Sequence, residues 1–226
     1  ILEFISGAKR AQGLVVIIDV FRAFSVACYA FDSGAAQYIA VGEISTAFEL
    51  KKKYRKSVLI GERDERKIEG FDFGNSPTEI LKANLNELTV IHSTTAGTNG
   101  LVNAGKASLV LTGSLVNAAA IVKYIKILNP ENVSLVAMGY RATVSAEEDI
   151  LCARLIAERL RGNHPDISKD LSDLKEGSGS RFFNPLNIEF SPPTDFFLCT
   201  MVDRYNFVLK AEPRLDGNIG LIKTDL

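Results

Sequence analysis

The chain is predicted to adopt an α/β fold, a three-layer α/β/α sandwich built on a mostly parallel sheet with a small C-terminal lobe. Two observations predict it. Short runs of Val, Ile and Leu alternate with segments of helical periodicity from residue 14 to residue 161, the pattern that βαβ units require. The first run, LVVIIDVFR over residues 14–22, is apolar at consecutive rather than alternate positions, as in a strand covered on both faces. With 226 residues and 46% hydrophobic composition, the chain can fill a sizeable core.

The elements follow in order. Residues 14–18 form the first strand, and the small and apolar residues 22–31 suit a buried helix ended by Asp32-Ser33-Gly34. A strand at 37–41 leads to an amphipathic helix at 44–55, with Lys51-Lys52-Lys53 on its wet face, and then to a strand at 57–61. A long polar loop over 62–77 ends at Pro77, placed for the first turn of a short helix with Ser76 as N-cap. Strands at 88–92, 108–112 and 133–138 alternate with helices at 98–104 and 114–128, and a helix reaching about residue 161 opens with Ser145 and Glu148 at capping-box spacing. Residues 162–187, rich in Asp, Ser, Lys, Gly and Asn, read as an exposed loop. A short helix and late strands are expected at 196–201, 207–211 and 219–222. On this reading residues 1–161 are the catalytic core and 162–226 an extension packing on it.

Composition excludes several classes. The net charge is -1 and no basic stripe is interleaved with aromatics, which argues against a nucleic-acid partner. Apolar runs are far shorter than the roughly 20 residues that span a bilayer, so no membrane partner is expected. Cys28, Cys152 and Cys199 lack metal-ligand spacing and read as buried small hydrophobes of a reducing cytoplasm. His92 and His164 have no partner at zinc-ligand spacing. Phe21 stands where a haloacid-dehalogenase-type phosphatase needs a second Asp, and neither a Walker loop nor a dinucleotide fingerprint is present.

Chemistry is expected where strands end. Asp19 interrupts an apolar run, and a buried carboxylate needs a metal, a cation or hydrogen-bond donors. In a parallel sheet Asp19 and Arg22, Glu62 and Arg63, the turn Ser93-Thr94-Thr95-Ala96-Gly97-Thr98-Asn99-Gly100, and Gly113-Ser114 project at one edge, with Asn117 one turn into the next helix. Thr94, Thr95, Gly97, Thr98, Asn99, Ser114 and Asn117 are the candidate phosphate donors, together with Asn75 and Ser76 of the ordered-looking loop Gly70-Phe71-Asp72-Phe73-Gly74-Asn75-Ser76-Pro77. Asp19, Glu62, Asp72 and Glu148 supply hard oxygens of the kind that bind Mg²⁺.

IDVFRAFS, GER followed by IEGFDFGNSPTEI, STTAGT, TGSLVNA and EEDILCA resemble, in order and spacing, the 2-phosphosulfolactate phosphatase family. The resemblance spans about residues 15–161. Ala96 stands where many relatives carry Asn, and Asp64-Glu65-Arg66 where glycine-rich sequence is common. The resemblance implies a Mg²⁺-dependent hydrolase that converts 2-phospho-3-sulfolactate to 3-sulfolactate on a route to coenzyme M. Asp19, Arg22 and Arg63 would act on a small anionic phosphorylated substrate in a cytoplasmic homodimer. The alternatives are a phosphatase for another phosphorylated hydroxy acid or sugar phosphate, and a non-catalytic phospho-ligand binding protein.

Overall fold

A computed structural model describes residues 1–226. The chain opens with β1 (Leu2–Glu3) and α1 (Phe4–Arg10), both absent from the sequence expectation. The expected alternation follows: β2 (Gly13–Ile18), α2 (Ala23–Asp32), β3 (Gln37–Ala40), α3 (Ile44–Lys53), β4 (Ser57–Arg63), β5 (Arg66–Lys67), α4 (Pro77–Ile80), β6 (Thr89–Ser93), α5 (Gly97–Asn103) and β7 (Ala107–Gly113). After a 3₁₀ turn at Leu115–Asn117 come α6 (Ala118–Leu128), β8 (Val133–Ala137) and α7 (Glu147–Leu160). The last part holds α8 (Ser168–Asp173), 3₁₀ turns at Ser180–Phe183 and Pro185–Asn187, α9 (Pro193–Cys199), β9 (Phe207–Pro213) and β10 (Ile219–Asp225).

All ten strands join in the order β1-β8-β2-β7-β9-β10-β3-β6-β4-β5. The β1-β8-β2-β7 block is parallel, and so is β3-β6-β4. Between them, β7 pairs with β9, β9 with β10 and β10 with β3, all antiparallel. Three reversals give the two blocks opposite sense. Residues 162–226, expected as an extension packed on the core, therefore supply the two central strands of the sheet.

Helices cover both faces, as a three-layer α/β/α arrangement requires. The middle of the molecule is α2, whose residues from Ala23 through Ala30 are all buried. Val26, Ala27, Tyr29 and Ala30 pack with Val15 and Ile17 of β2, Tyr38 of β3, Ile60 of β4, Val90 of β6, Leu209 of β9 and Leu221 of β10. Strands of both blocks thus turn one face toward the core that holds α2. On the outer face, Leu14, Val16 and Ile18 meet Ile121 and Ile125 of α6 and Leu155 and Ile156 of α7, while Ile39, Leu59 and Ile91 meet Ala47 and Leu50 of α3. Alternate residues of β2 serve opposite cores, which is why its apolar run is continuous. Each Val, Ile or Leu buried this way contributes roughly 1.5–3 kcal/mol.

Two local expectations are corrected. Ser145 does not cap α7: Ala146 is the N-cap, Ser145 Oγ donates to Glu3 Oε1, and Glu148 is buried. Residues 162–187 are no simple exposed loop, because Phe182 is fully buried in an aromatic cluster with Phe21 and Phe196 that anchors the segment. The three cysteines are free and buried, as expected, and no helix is long and apolar enough to cross a membrane.

Because β9 and β10 join the two blocks, a chain ending at Arg161 is expected to give no cooperative thermal transition by circular dichroism, whereas the intact chain gives one.

Candidate active site

Asp19 leaves the end of β2 where the chain turns into α2. Its Oδ1 accepts from the Ala23 N–H at 3.0 Å, and its backbone N–H donates to the Gly113 carbonyl of β7. Asp149, in the first turn of α7, clamps the same end: Oδ1 accepts from Val20 N–H at 2.8 Å and Oδ2 from Gly139 N–H at 2.9 Å. From the other block, Glu62 at the end of β4 accepts from Thr95 N–H at 2.8 Å and Glu65 N–H at 3.0 Å. Ends of strands from both blocks therefore share one cleft, lined by Asp19, Phe21, Glu62, Asn75, Thr94, Thr95, Ala96, Gly139, Tyr140 and Arg181 among others. Gly97 sits against the wall, where a Cβ would come 2.9 Å from Asp19 Oδ2 and 2.8 Å from Ala23 Cβ.

The electrostatics follow from burial. Burial pushes Asp19 up to about 7, with Glu62 and Glu148 adding to the shift and the Ala23 N–H and Arg181 opposing it. Glu148 is raised for the same first reason, and Asp149 well above the usual range by burial and by the carboxylates of Glu148 and Asp19. A carboxyl near 7 can hold or release a proton at neutral pH.

A third guanidinium at this cleft, beside those of Arg22 and Arg141, belongs to Arg181, a residue the sequence reading passed over. Arg181, on the 3₁₀ turn Ser180–Phe183, places Nη1 3.0 Å from Glu65 Oε1 and donates from Nη2 to the Phe21 carbonyl at 3.1 Å. It lies over the rings of Phe21, Tyr140 and Phe182. Its Nε, the Thr95 hydroxyl and Glu148 Oε2 are buried without a partner. Buried polar atoms are normally bonded, so the two orphaned atoms on cleft-lining residues, Arg181 Nε and the Thr95 hydroxyl, mark where a ligand belongs. The only sequence signal was an Arg beside two Phe in a polar stretch. Arg141, on the rim, is paired with Asp64 at 2.6 Å.

Of the residues chosen from sequence, Asp19, Glu62, Asn75, Thr94 and Thr95 line this cleft, and Gly97 abuts it. Arg22 also borders it, but its Nη1 is held by Asp195 Oδ2 and the Phe190 carbonyl, both at 2.7 Å. Asp195 is fully buried and accepts from Ser76 Oγ and Thr78 N–H as well, which directs Ser76 to this hub. Arg63 does not reach the cleft, because its guanidinium donates to the carbonyls of Glu62 and Gly42 and to Ser93 Oγ. Asp72 lies apart, accepting from Leu59 N–H and pairing with Lys51. Ser114 and Asn117 form a reciprocal capping box at the 3₁₀ turn, with Ser114 Oγ also 2.7 Å from Ser25 Oγ. Thr98 Oγ1 and Asn99 Nδ2 donate to the carbonyls of Thr94 and Thr95 and so shape the loop. Glu148 adds to the upward shift of Asp19 but does not line the cleft.

A buried carboxyl poised near neutrality, a guanidinium and an orphaned hydroxyl at converging strand ends define an enzyme site for a small anionic substrate. Comparison with known proteins makes this specific. The chain belongs to the 2-phosphosulpholactate phosphatase family, whose sequence model matches residues 2–211, and is thus a member of a family of phosphoric monoester hydrolases. It is 39% identical over 224 residues to a protein of Caldanaerobacter subterraneus subsp. tengcongensis named "Probable 2-phosphosulfolactate phosphatase", covering 93% of this chain and 90% of that one. A Bacillus subtilis protein of the same name is 30% identical, covering 92% and 90% respectively. One from Clostridium beijerinckii is 33% identical, covering 77% and 73%.

Two predictions follow from these contacts. Asp195→Ala leaves the Arg22 charge buried without its carboxylate and is expected to lower unfolding free energy in urea by about 3–5 kcal/mol, whereas the double change Arg22→Met/Asp195→Leu recovers only part of that loss, because Ser76 Oγ and Thr78 N–H still lack their acceptor. For Asp19, the folded group binds its proton more tightly than the unfolded one, so its contribution is intact below pH 3.8 and is lost as pH rises through about 7. Asp19→Asn removes that loss: in metal-free buffer it is expected to be nearly neutral at pH 4 and stabilising at pH 8, by up to about 4 kcal/mol, in calorimetric scans.

Proposed function

We propose that this chain hydrolyses 2-phospho-3-sulfolactate to 3-sulfolactate and inorganic phosphate, a reaction of the type used on a route to coenzyme M. The observation that carries the reading is the meeting of the buried Asp19 carboxyl with Arg181 and the unpartnered Thr95 hydroxyl in one cleft of a chain from this family. The ester's phosphoryl group lies against Thr94, Thr95 and Asn75, whose donors compensate its oxygens. The neighbouring Arg181 guanidinium, with Arg141 at the rim, takes the substrate's second acidic group. Arginine suits that task because its planar fork binds a carboxylate or sulfonate through two parallel hydrogen bonds.

Mg²⁺ is the cofactor we propose. No three acidic, His or Cys side chains are assembled at ligating distance, but Mg²⁺ needs only one or two carboxylates, with waters and substrate phosphate oxygens completing its shell. Asp19 and Glu62 are the oxygen donors at the cleft wall. The metal, when bound, neutralises phosphoryl charge and lowers the pKa of water. The protein's own part is to hold the ester in place, to exclude bulk water with Phe21 and Tyr140, and to present the carboxylates of Asp19 and Glu62 to the cleft.

Phosphate release from 2-phospho-3-sulfolactate, with and without Mg²⁺, tests the assignment. Asp19→Asn is expected to lower kcat by about 10³-fold or more. Arg181→Ala is expected to raise KM for the sulfonated ester about tenfold more than for a phosphate monoester lacking a second acidic group. Equal slow turnover of every ester by the unaltered protein overturns the substrate assignment.

A further inference from the structure

Asn75 lines the cleft while remaining almost wholly buried. Its Oδ1 lies 3.1 Å from Nε2 of His92 on β6, and Nδ1 of His92 lies 2.5 Å from the hydroxyl of Tyr38 on β3. All three side chains are out of bulk water. Burial, reinforced by the Arg63 guanidinium, pushes His92 down to about 3, so the imidazole is neutral at physiological pH. A neutral imidazole carries one N–H and one bare nitrogen, and its neighbours decide which is which.

The Tyr38 hydroxyl decides it. Burial raises this phenol well above its usual range, so it keeps its proton, and His92 Nδ1 is the hydroxyl's hydrogen-bond partner. The hydroxyl donates to Nδ1, Nε2 therefore carries the imidazole proton, and Nε2–H donates to Asn75 Oδ1. The amide's other end, the Nδ2 donor pair, is left for the cleft. Turned the other way, the amide would present a carbonyl oxygen to phosphoryl oxygens, acceptor against acceptor.

We propose that Tyr38 and His92 are positioning residues that lock the Asn75 amide with its N–H₂ group facing the cleft as a donor to a bound phosphoryl group. The inference deepens the phosphatase reading and rests on it for the identity of the ligand. Neither Tyr38 nor His92 touches substrate. Tyr38, His92 and Asn75 reach the chain of contacts from β3, β6 and the loop before α4.

The test uses inorganic phosphate as probe, by calorimetric titration of the full chain in Mg²⁺ buffer, with ¹⁵N NMR of the histidine tautomers. The unaltered protein is expected to show His92 protonated at Nε2 and to bind phosphate. Tyr38→Phe, which keeps the ring and removes only the donor, is expected to raise the fraction of His92 protonated at Nδ1 and to weaken phosphate, by less than the roughly tenfold loss of Asn75→Ala. The double variant should bind no more weakly than Asn75→Ala alone, because the two residues act through one group. Additive losses, or a tautomer and affinity unmoved by Tyr38→Phe, overturn the proposal, as does an unaltered protein that binds no phosphate. An unaltered protein that binds phosphate but leaves 2-phospho-3-sulfolactate intact refutes the substrate alone, since tautomer and affinity still decide the role of Tyr38.

Discussion

The β9–β10 hairpin holds two parallel blocks of opposite sense in one sheet, and the rest of the molecule depends on that arrangement. In a flat sheet the carboxyl ends of β2 and β8 would lie on one edge and those of β4 and β6 on the other. In the molecule they meet at one cleft, and both blocks bury apolar residues in the same cluster as α2. The small residues of α2, among them Ala23, Ala27 and Ala30, allow strands to approach it from several sides. The same geometry that completes the core therefore creates the cleft.

Charge is distributed there by how many partners each group has. Arg22 and Asp195 satisfy one another and two further donors, so they form a rigid support rather than a receptor. Asp149 is saturated by two backbone N–H groups and fixes the distance between β2 and β8. What remains without a partner on the cleft lining is the Thr95 hydroxyl and Arg181 Nε. Low local dielectric makes such groups costly until a ligand completes them, and the same feature strengthens each contact once it does.

Several features were legible early because they are local. Asp19 stood out as a carboxylate inside a buried strand, and STTAGT as a polar turn between strand and helix; both border the cleft. Arg63 and Asp72 looked equally suited by position, yet Arg63 turns to the carbonyls of Glu62 and Gly42 and Asp72 to Leu59 N–H and Lys51. Side-chain direction at a strand end depends on neighbours distant in the chain. Arg181 was hidden for the converse reason: its segment is polar and irregular, and only the burial of Phe182 against Phe21 and Phe196 brings it over the site.

The sequence by itself determined the α/β class, the order of most elements, and a carboxylate with polar turns at the strand ends, since hydrophobic period and turn chemistry act over a few residues. The tertiary structure alone decided the opposite sense of the two blocks, the central place of β9 and β10, and which arginines reach the cleft. Those features come from pairings and packing between residues far apart in the chain, such as Tyr38 with Leu221 and Arg22 with Asp195, and no local pattern encodes them.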